Sequence, residues 1–124
     1  MDYKHYTEEA VELLKQLIST PSVSRYEKAA TDIFVDFIER QELPYKRIGN
    51  NVLIQETLDP NKPTLLLNAH IDTVKPVISW TRKPFQPTVE GDRLYGLGSK
   101  TAAADWSAYY RCTGCYEANP WHTT

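Results

Sequence analysis

Leu65-Leu66-Leu67-Asn68-Ala69-His70-Ile71-Asp72-Thr73-Val74 is an apolar run that ends in His-x-Asp. The unbroken run over Thr64 to Asn68 predicts a strand buried on both faces, as in the parallel sheets of α/β proteins. Side chains two apart in an extended segment share a side. His70 and Asp72 are therefore expected to face the same way at the strand's end, where open α/β sheets place their ligands. Neutral imidazole is a good zinc ligand, and a neighbouring carboxylate can set the ring's tautomer and orientation. The three-residue pattern is weak by itself. Its place after a Leu-rich strand and before Thr73-Val74 gives it weight. Taken alone, His70 would read as a hydrogen-bonded histidine at a strand end.

Outward from this stretch, the chain alternates helix and strand signals. Glu8 to Ile18 carries Val11, Leu14, Leu17 and Ile18 at helical spacing, with Thr7 as the expected N-cap. Glu8 and Glu9 suit the positive end of the helix dipole, and Pro21 closes the segment. Ser24-Arg25-Tyr26-Glu27 has the form of a capping box. Ala30, Ile33, Phe34, Phe37 and Ile38 follow as the apolar stripe of a second helix. Both stripes read as core packing. Tyr45 to Ile48 and Val52 to Gln55 flank a turn at Gly49-Asn50-Asn51, and Asp59 to Pro63 reads as a surface loop. Thr88-Val89 and Arg93 to Tyr95 flank Glu90-Gly91-Asp92 as a second hairpin, and Gly96 to Ser99 reads as a flexible loop. Helices followed by strands with a buried parallel member predict an α/β fold.

Composition narrows the function classes. The chain has 124 residues and a net charge of -2, enough for one small domain and without the basic footprint of a nucleic-acid binder. No apolar stretch approaches the roughly 20 residues that span a bilayer. Met1 to Tyr6 lacks the apolar core of a secretion signal, so a cytoplasmic location is expected. His5 lies in a polar stretch and reads as solvated. Cys112 and Cys115 form a Cys-x-x-Cys, which can be a redox pair or half a zinc site; a single histidine, His122, follows it and leaves a zinc site one ligand short.

Asn68 to Val74 resembles the first metal motif of the acetylornithine deacetylase / succinyl-diaminopimelate desuccinylase family, within the dinuclear zinc aminoacylases and carboxypeptidases. Leu17 to Ser24 resembles that family's opening helix end, Trp80 to Pro87 its loop after the first motif, and Glu90 to Ser99 the hairpin leading to its second metal motif. The resemblance runs in order through residues 1–99. It implies the N-terminal part of a zinc-peptidase-like catalytic domain, with helices packed on a mixed, largely parallel sheet. It implies His70 as a ligand to one zinc, with Asp72 orienting His70 as the catalytic carboxylate beside it. It also implies two zinc ions per intact enzyme, or cobalt in their place, and an N-acyl amino acid as substrate, N-acetylornithine first. Succinyl-diaminopimelate, other N-acyl amino acids and small peptides are the alternative substrates. The family is usually a homodimer, and no nucleic acid or membrane partner is expected.

Departure from the family pattern begins at Lys100. In the family, Gly-x-Gly-Ser runs into Asn-Asp, and that Asp bridges the two metals. Here Thr101 stands in its place, and a neutral hydroxyl is a poor substitute. Residues 1–99 contain no Cys and one Trp, whereas residues 100–124 hold both Cys, two Trp and three Tyr. Back-translation of Lys100 to Tyr110 with one nucleotide inserted after the first two bases of codon 100 allows Asn, then Asp, then a Gly-rich run. Leu and Val are then fixed by codons that leave no freedom, and an aliphatic residue and a fixed Leu come soon after. The shifted frame thus restores the missing Ser-Asn-Asp-x-Gly-Gly motif running into an apolar helix. The expectation is a lost nucleotide near codon 100, with residues 100–124 an aberrant tail. Cys112, Cys115 and His122 are then accidents of the wrong frame, although Ala102 to Ala108 could still form a short helix. As written, the chain is expected to bind zinc weakly and to hydrolyse nothing; the alternative is a non-catalytic binding fragment.

Overall fold

The structure is a computed structural model that describes residues 3–55 and 59–99. The element order is α1 (Tyr3–Ser19), α2 (Lys28–Arg40), β1 (Tyr45–Ile48), β2 (Asn51–Ile54), β3 (Thr88–Glu90) and β4 (Arg93–Tyr95). The sequence expectations over Thr101, Ala102 to Ala108, Cys112, Cys115 and His122 lie outside the described residues.

Helix α1 begins earlier than its apolar periodicity indicates. Nothing between Tyr3 and Thr7 breaks a helix, and the added turn carries i,i+4 pairs, Lys4 with Glu8 at 3.9 Å and His5 with Glu9 at 3.4 Å. Thr7 is thus an interior residue and not the N-cap. Helix α2 also corrects its expected start. Residues 23–26 form a turn closed by Tyr26 N–H to the Val23 carbonyl at 2.8 Å, with Arg25 at φ 76°. Ser24 lies too far ahead of Lys28 to cap it, and Glu27, the N-cap residue, makes no side-chain cap bond. The Glu27 carboxylate instead accepts from the Arg25 N–H at 2.6 Å.

Both apolar stripes meet in one core. Leu13, Leu14, Leu17 and Ile18 of α1 pack with Ala30, Phe34, Phe37 and Ile38 of α2. Each large side chain removed from water stabilises by about 1.5–3 kcal/mol. Thr31 is buried with them, and its hydroxyl donates to the Glu27 carbonyl at 3.0 Å. Strands β1 and β2 pair antiparallel in the register Tyr45↔Ile54 to Ile48↔Asn51, around Gly49 at φ 62°. The inward members Tyr45, Val52 and Ile54 join the core, while Ile48 and Leu53 face outward and are exposed. Asp32 of α2 ties the hairpin to the helix through Arg47 at 2.6 Å.

The second hairpin pairs Thr88↔Tyr95 to Glu90↔Arg93. Gly96 to Ser99, expected as a flexible loop, is a packed turn: Leu97 is buried, and its N–H donates to the Pro84 carbonyl at 2.8 Å.

The main correction concerns the Leu-rich run. Residues 64–68 form no strand, and Leu65 and Leu66 are 80% and 75% exposed. A strand is a paired state, and an extended segment without a neighbour gains no ladder bonds. Among the described residues the only sheets are the two antiparallel hairpins. The expected largely parallel sheet is thus not formed by the described residues, among which parallel pairing is confined to one bridge, Val23↔Thr73. What the described residues form is a small α/β unit of two helices and two hairpins.

Candidate functional site

Past the Leu-rich run the backbone becomes anchored. Ile71 turns inward to the helical core. Thr73 N–H donates to the Ser22 carbonyl at 2.8 Å, and the Ser22 hydroxyl donates to the Ile71 carbonyl at 3.1 Å. With Ile71 directed inward, alternation sends His70 and Asp72 to the opposite side. His70 Nδ1 lies 2.9 Å from Asp72 Oδ1 and 3.0 Å from the Asp72 carbonyl oxygen. The structure thus brings together the two residues that the His-x-Asp spacing singled out.

Both neighbours of Nδ1 are acceptors, so a neutral ring satisfies them only by carrying its proton there. Nε2 is then the lone-pair nitrogen, and among the described residues it has no hydrogen-bond partner. Its side chain is two-thirds exposed, so the lone pair is open to a ligand. This is the arrangement in which a carboxylate orients a metal-binding histidine. The fit to zinc covers one ligand position. Among the described residues no group of three His, Cys, Asp or Glu side chains is placed to hold a metal ion, whereas catalytic zinc sites use three protein ligands.

A groove of about 520 Å³ runs from this pair along the Leu-rich segment to the first hairpin. Leu66, Lys46, Asn50 and Glu27 line it beside His70 and Asp72. It is the space between β2 and the unpaired segment. Ser22 was outside the sequence-derived site, where it counted only as part of a helix end. It is buried between an exposed Pro21 and a half-buried Val23, and no local sequence signal marks it.

Comparison with known proteins bears out the resemblance that the sequence motifs carry. The chain is 34% identical over 103 residues to acetylornithine deacetylase of Shigella sonnei (strain Ss046), covering 72% of this chain and 27% of that protein. It is 37% identical over 108 residues to acetylornithine deacetylase of Photorhabdus laumondii subsp. laumondii, covering 72% of this chain and 26% of that protein. The chain therefore spans about a quarter of the length of the curated relatives it matches. No protein-family profile matches it. No helix among the described residues is long and apolar enough to cross a membrane.

Proposed function

We propose that the intact protein is a zinc-dependent amidohydrolase that deacylates an N-acyl amino acid, N-acetylornithine first among them, in the cytoplasm, as a step of arginine biosynthesis. The observation that carries this reading is the His70–Asp72 contact at 2.9 Å, at the end of a segment in a chain similar to curated acetylornithine deacetylases. Zinc, when bound, supplies Lewis acidity and an activated water. His70 contributes one ligand through Nε2, and Asp72 holds the proton on Nδ1. The remaining ligands and the general base belong to the longer protein, which we propose to be a homodimer.

We propose in addition that a nucleotide is lost near codon 100, so that residues 100–124 are read in the wrong frame. The 124-residue chain by itself is then inactive, with a single zinc ligand in place of three.

The test is to resequence the source DNA across codons 97 to 112 and beyond the stop, then to assay the full-length product loaded with zinc. One extra nucleotide that opens a long frame, together with release of ornithine from N-acetylornithine, supports the reading. A frame that stands as written rejects the lost nucleotide. Turnover of succinyl-diaminopimelate or dipeptides in preference to N-acetylornithine rejects the substrate.

A further inference from the structure

We infer that Ser22 is a positioning residue for the His70–Asp72 pair. The inference deepens the proposed function and rests on its reading of His70.

Asp72 is held on both sides by one residue. The Ser22 hydroxyl donates to the carbonyl preceding Asp72, that of Ile71, at 3.1 Å. The Ser22 carbonyl accepts from the N–H following Asp72, that of Thr73, at 2.8 Å. The Thr73 N–H to Ser22 carbonyl bond is part of the parallel bridge Val23↔Thr73. These bonds fix the backbone of residues 71–73, and with it the Asp72 carbonyl oxygen and the Cα–Cβ bond from which Oδ1 reaches His70 Nδ1. The Asp72 carbonyl is an acceptor that no change of side-chain rotamer can supply.

Ser22 can do this because it is itself held. It is 4% exposed. On one side lies the end of α1, where Thr20 N–H donates to the Leu17 carbonyl at 3.2 Å and its hydroxyl to the Gln16 carbonyl at 3.0 Å. Pro21 restricts the backbone between them. On the other side is the turn closed by Val23 and Tyr26. Helix α1 is anchored in the core by Leu17 and Ile18. The line of mechanical support runs from the helical core through α1 and Ser22 to Asp72, and from Asp72 to the imidazole. His70 and Asp72 stand on a segment with no sheet neighbour over residues 64–68, so this support stands in for a ladder.

The imidazole tautomer reports on the arrangement, because the bond made by one ring nitrogen decides which nitrogen carries the proton. The experiment uses the full 124-residue chain with ¹⁵N-labelled histidine, read by two-bond ¹⁵N–¹H correlation at a pH where His70 is neutral. Amide exchange at Thr73 is measured alongside. Wild type is expected to show His70 protonated on Nδ1 and a protected Thr73 amide. Ser22→Ala is expected to shift His70 toward the Nε2-protonated form and to speed Thr73 exchange roughly five- to tenfold, the scale of one lost hydrogen bond. Ser22→Thr, which keeps the hydroxyl, is expected to restore both. Asp72→Ala separates the inference from the reading beneath it. If Asp72→Ala moves the tautomer and Ser22→Ala does not, Ser22 loses its role while the His70–Asp72 pair stands. If His70 is protonated on Nε2 in wild type, the pair itself falls, and the inference with it. An unprotected Thr73 amide in wild type overturns the inference without any variant, which covers the case in which Ser22→Ala fails to fold.

Discussion

Arg82 and Glu90 are joined by two parallel N–H···O bonds, of 2.6 and 2.9 Å. The Arg82 guanidinium also lies over the Tyr95 ring, 3.7 Å from its centroid. The planar fork of arginine suits both contacts at once, carboxylate at its edge and aromatic ring at its face. The result fastens the loop after Trp80 onto the hairpin β3–β4. The Leu97 N–H to the Pro84 carbonyl closes the same loop from its far end.

Acid should loosen this fastening. The guanidinium beside Glu90 holds its carboxyl below the ordinary 4.5, and bonds from Lys28 and then Arg47 hold Asp32 below the ordinary 3.8. For a carboxyl whose pKa is depressed in the folded state, the contribution to stability is complete above the unfolded-state pKa and is lost as pH falls through the folded-state value. Thermal melts between pH 7 and pH 3 should show wild type more stable than Glu90→Gln at neutral pH, with the gap closing as pH drops below the ordinary glutamate value. Both groups are exposed, so raised salt should narrow the gap at neutral pH as well. A gap that is constant across this range would leave Glu90 without an ionic role.

Gly96 marks a close approach of a different kind. It sits where β4 ends against the last turns of α1, and a Cβ at this position would overlap the Ile18 Cγ2 methyl. Ile18 is 3% exposed and has little room to move. Gly96→Ala should therefore destabilise by about 1–3 kcal/mol through overpacking, read as a lowered urea midpoint at unchanged m-value. The double variant Gly96→Ala with Ile18→Leu removes the Cγ2 methyl from the contact and should recover part of the loss. No recovery would mean that the clash is not with Ile18.

These contacts show what the sequence could and could not disclose. Both helical stripes and both hairpins follow from periodicity and turn residues, because those signals are local. The His70–Asp72 contact was also accessible, since a spacing of two on an extended backbone puts two side chains together wherever the segment lies. Ser22 was not, because Ile71, the nearer of its partners, is 49 residues away and nothing in Pro21-Ser22-Val23 names them. The Leu-rich run failed for the complementary reason. Its burial depends on neighbours for both edges and both faces, and apolar composition records a strand's need for neighbours without providing them. The helix starts missed at Thr7 and Ser24 turned on caps, which compete with turns such as the one through Arg25.

On the proposed reading of His70 as a zinc ligand, the carboxylate beside it sets metal affinity. In the intact protein, Asp72→Ala leaves His70 in place but releases Nδ1 from its side-chain partner. Loss of such a partner lowers metal affinity by about 10–100-fold. Competition with a zinc chelator should show this loss, and His70→Ala should show a larger one, since it removes a ligand outright. An unchanged affinity in Asp72→Ala would assign the orienting role to the Asp72 main-chain carbonyl, 3.0 Å from the same nitrogen.

The exposed run at Leu65 to Leu67 allows the 124-residue chain to be set against the intact protein in one variant. In the chain described here Leu66 is 75% exposed, so Leu66→Ser removes few contacts and should change stability by no more than about 0.5 kcal/mol, as for surface sites generally. It should also reduce self-association, because unpaired apolar segments beside an open sheet edge invite pairing between chains. In the longer protein that we propose, the same run is expected to be a strand buried on both faces, and there the substitution should destabilise by about 2–5 kcal/mol. Urea denaturation and sedimentation of both proteins, each with and without Leu66→Ser, measure the two quantities together. A small effect in the chain with a large one in the longer protein means that the strand is completed by residues beyond this sequence. A large effect in both means that Leu66 already packs within residues 1–99, and the groove beside β2 is then filled in solution by this chain itself.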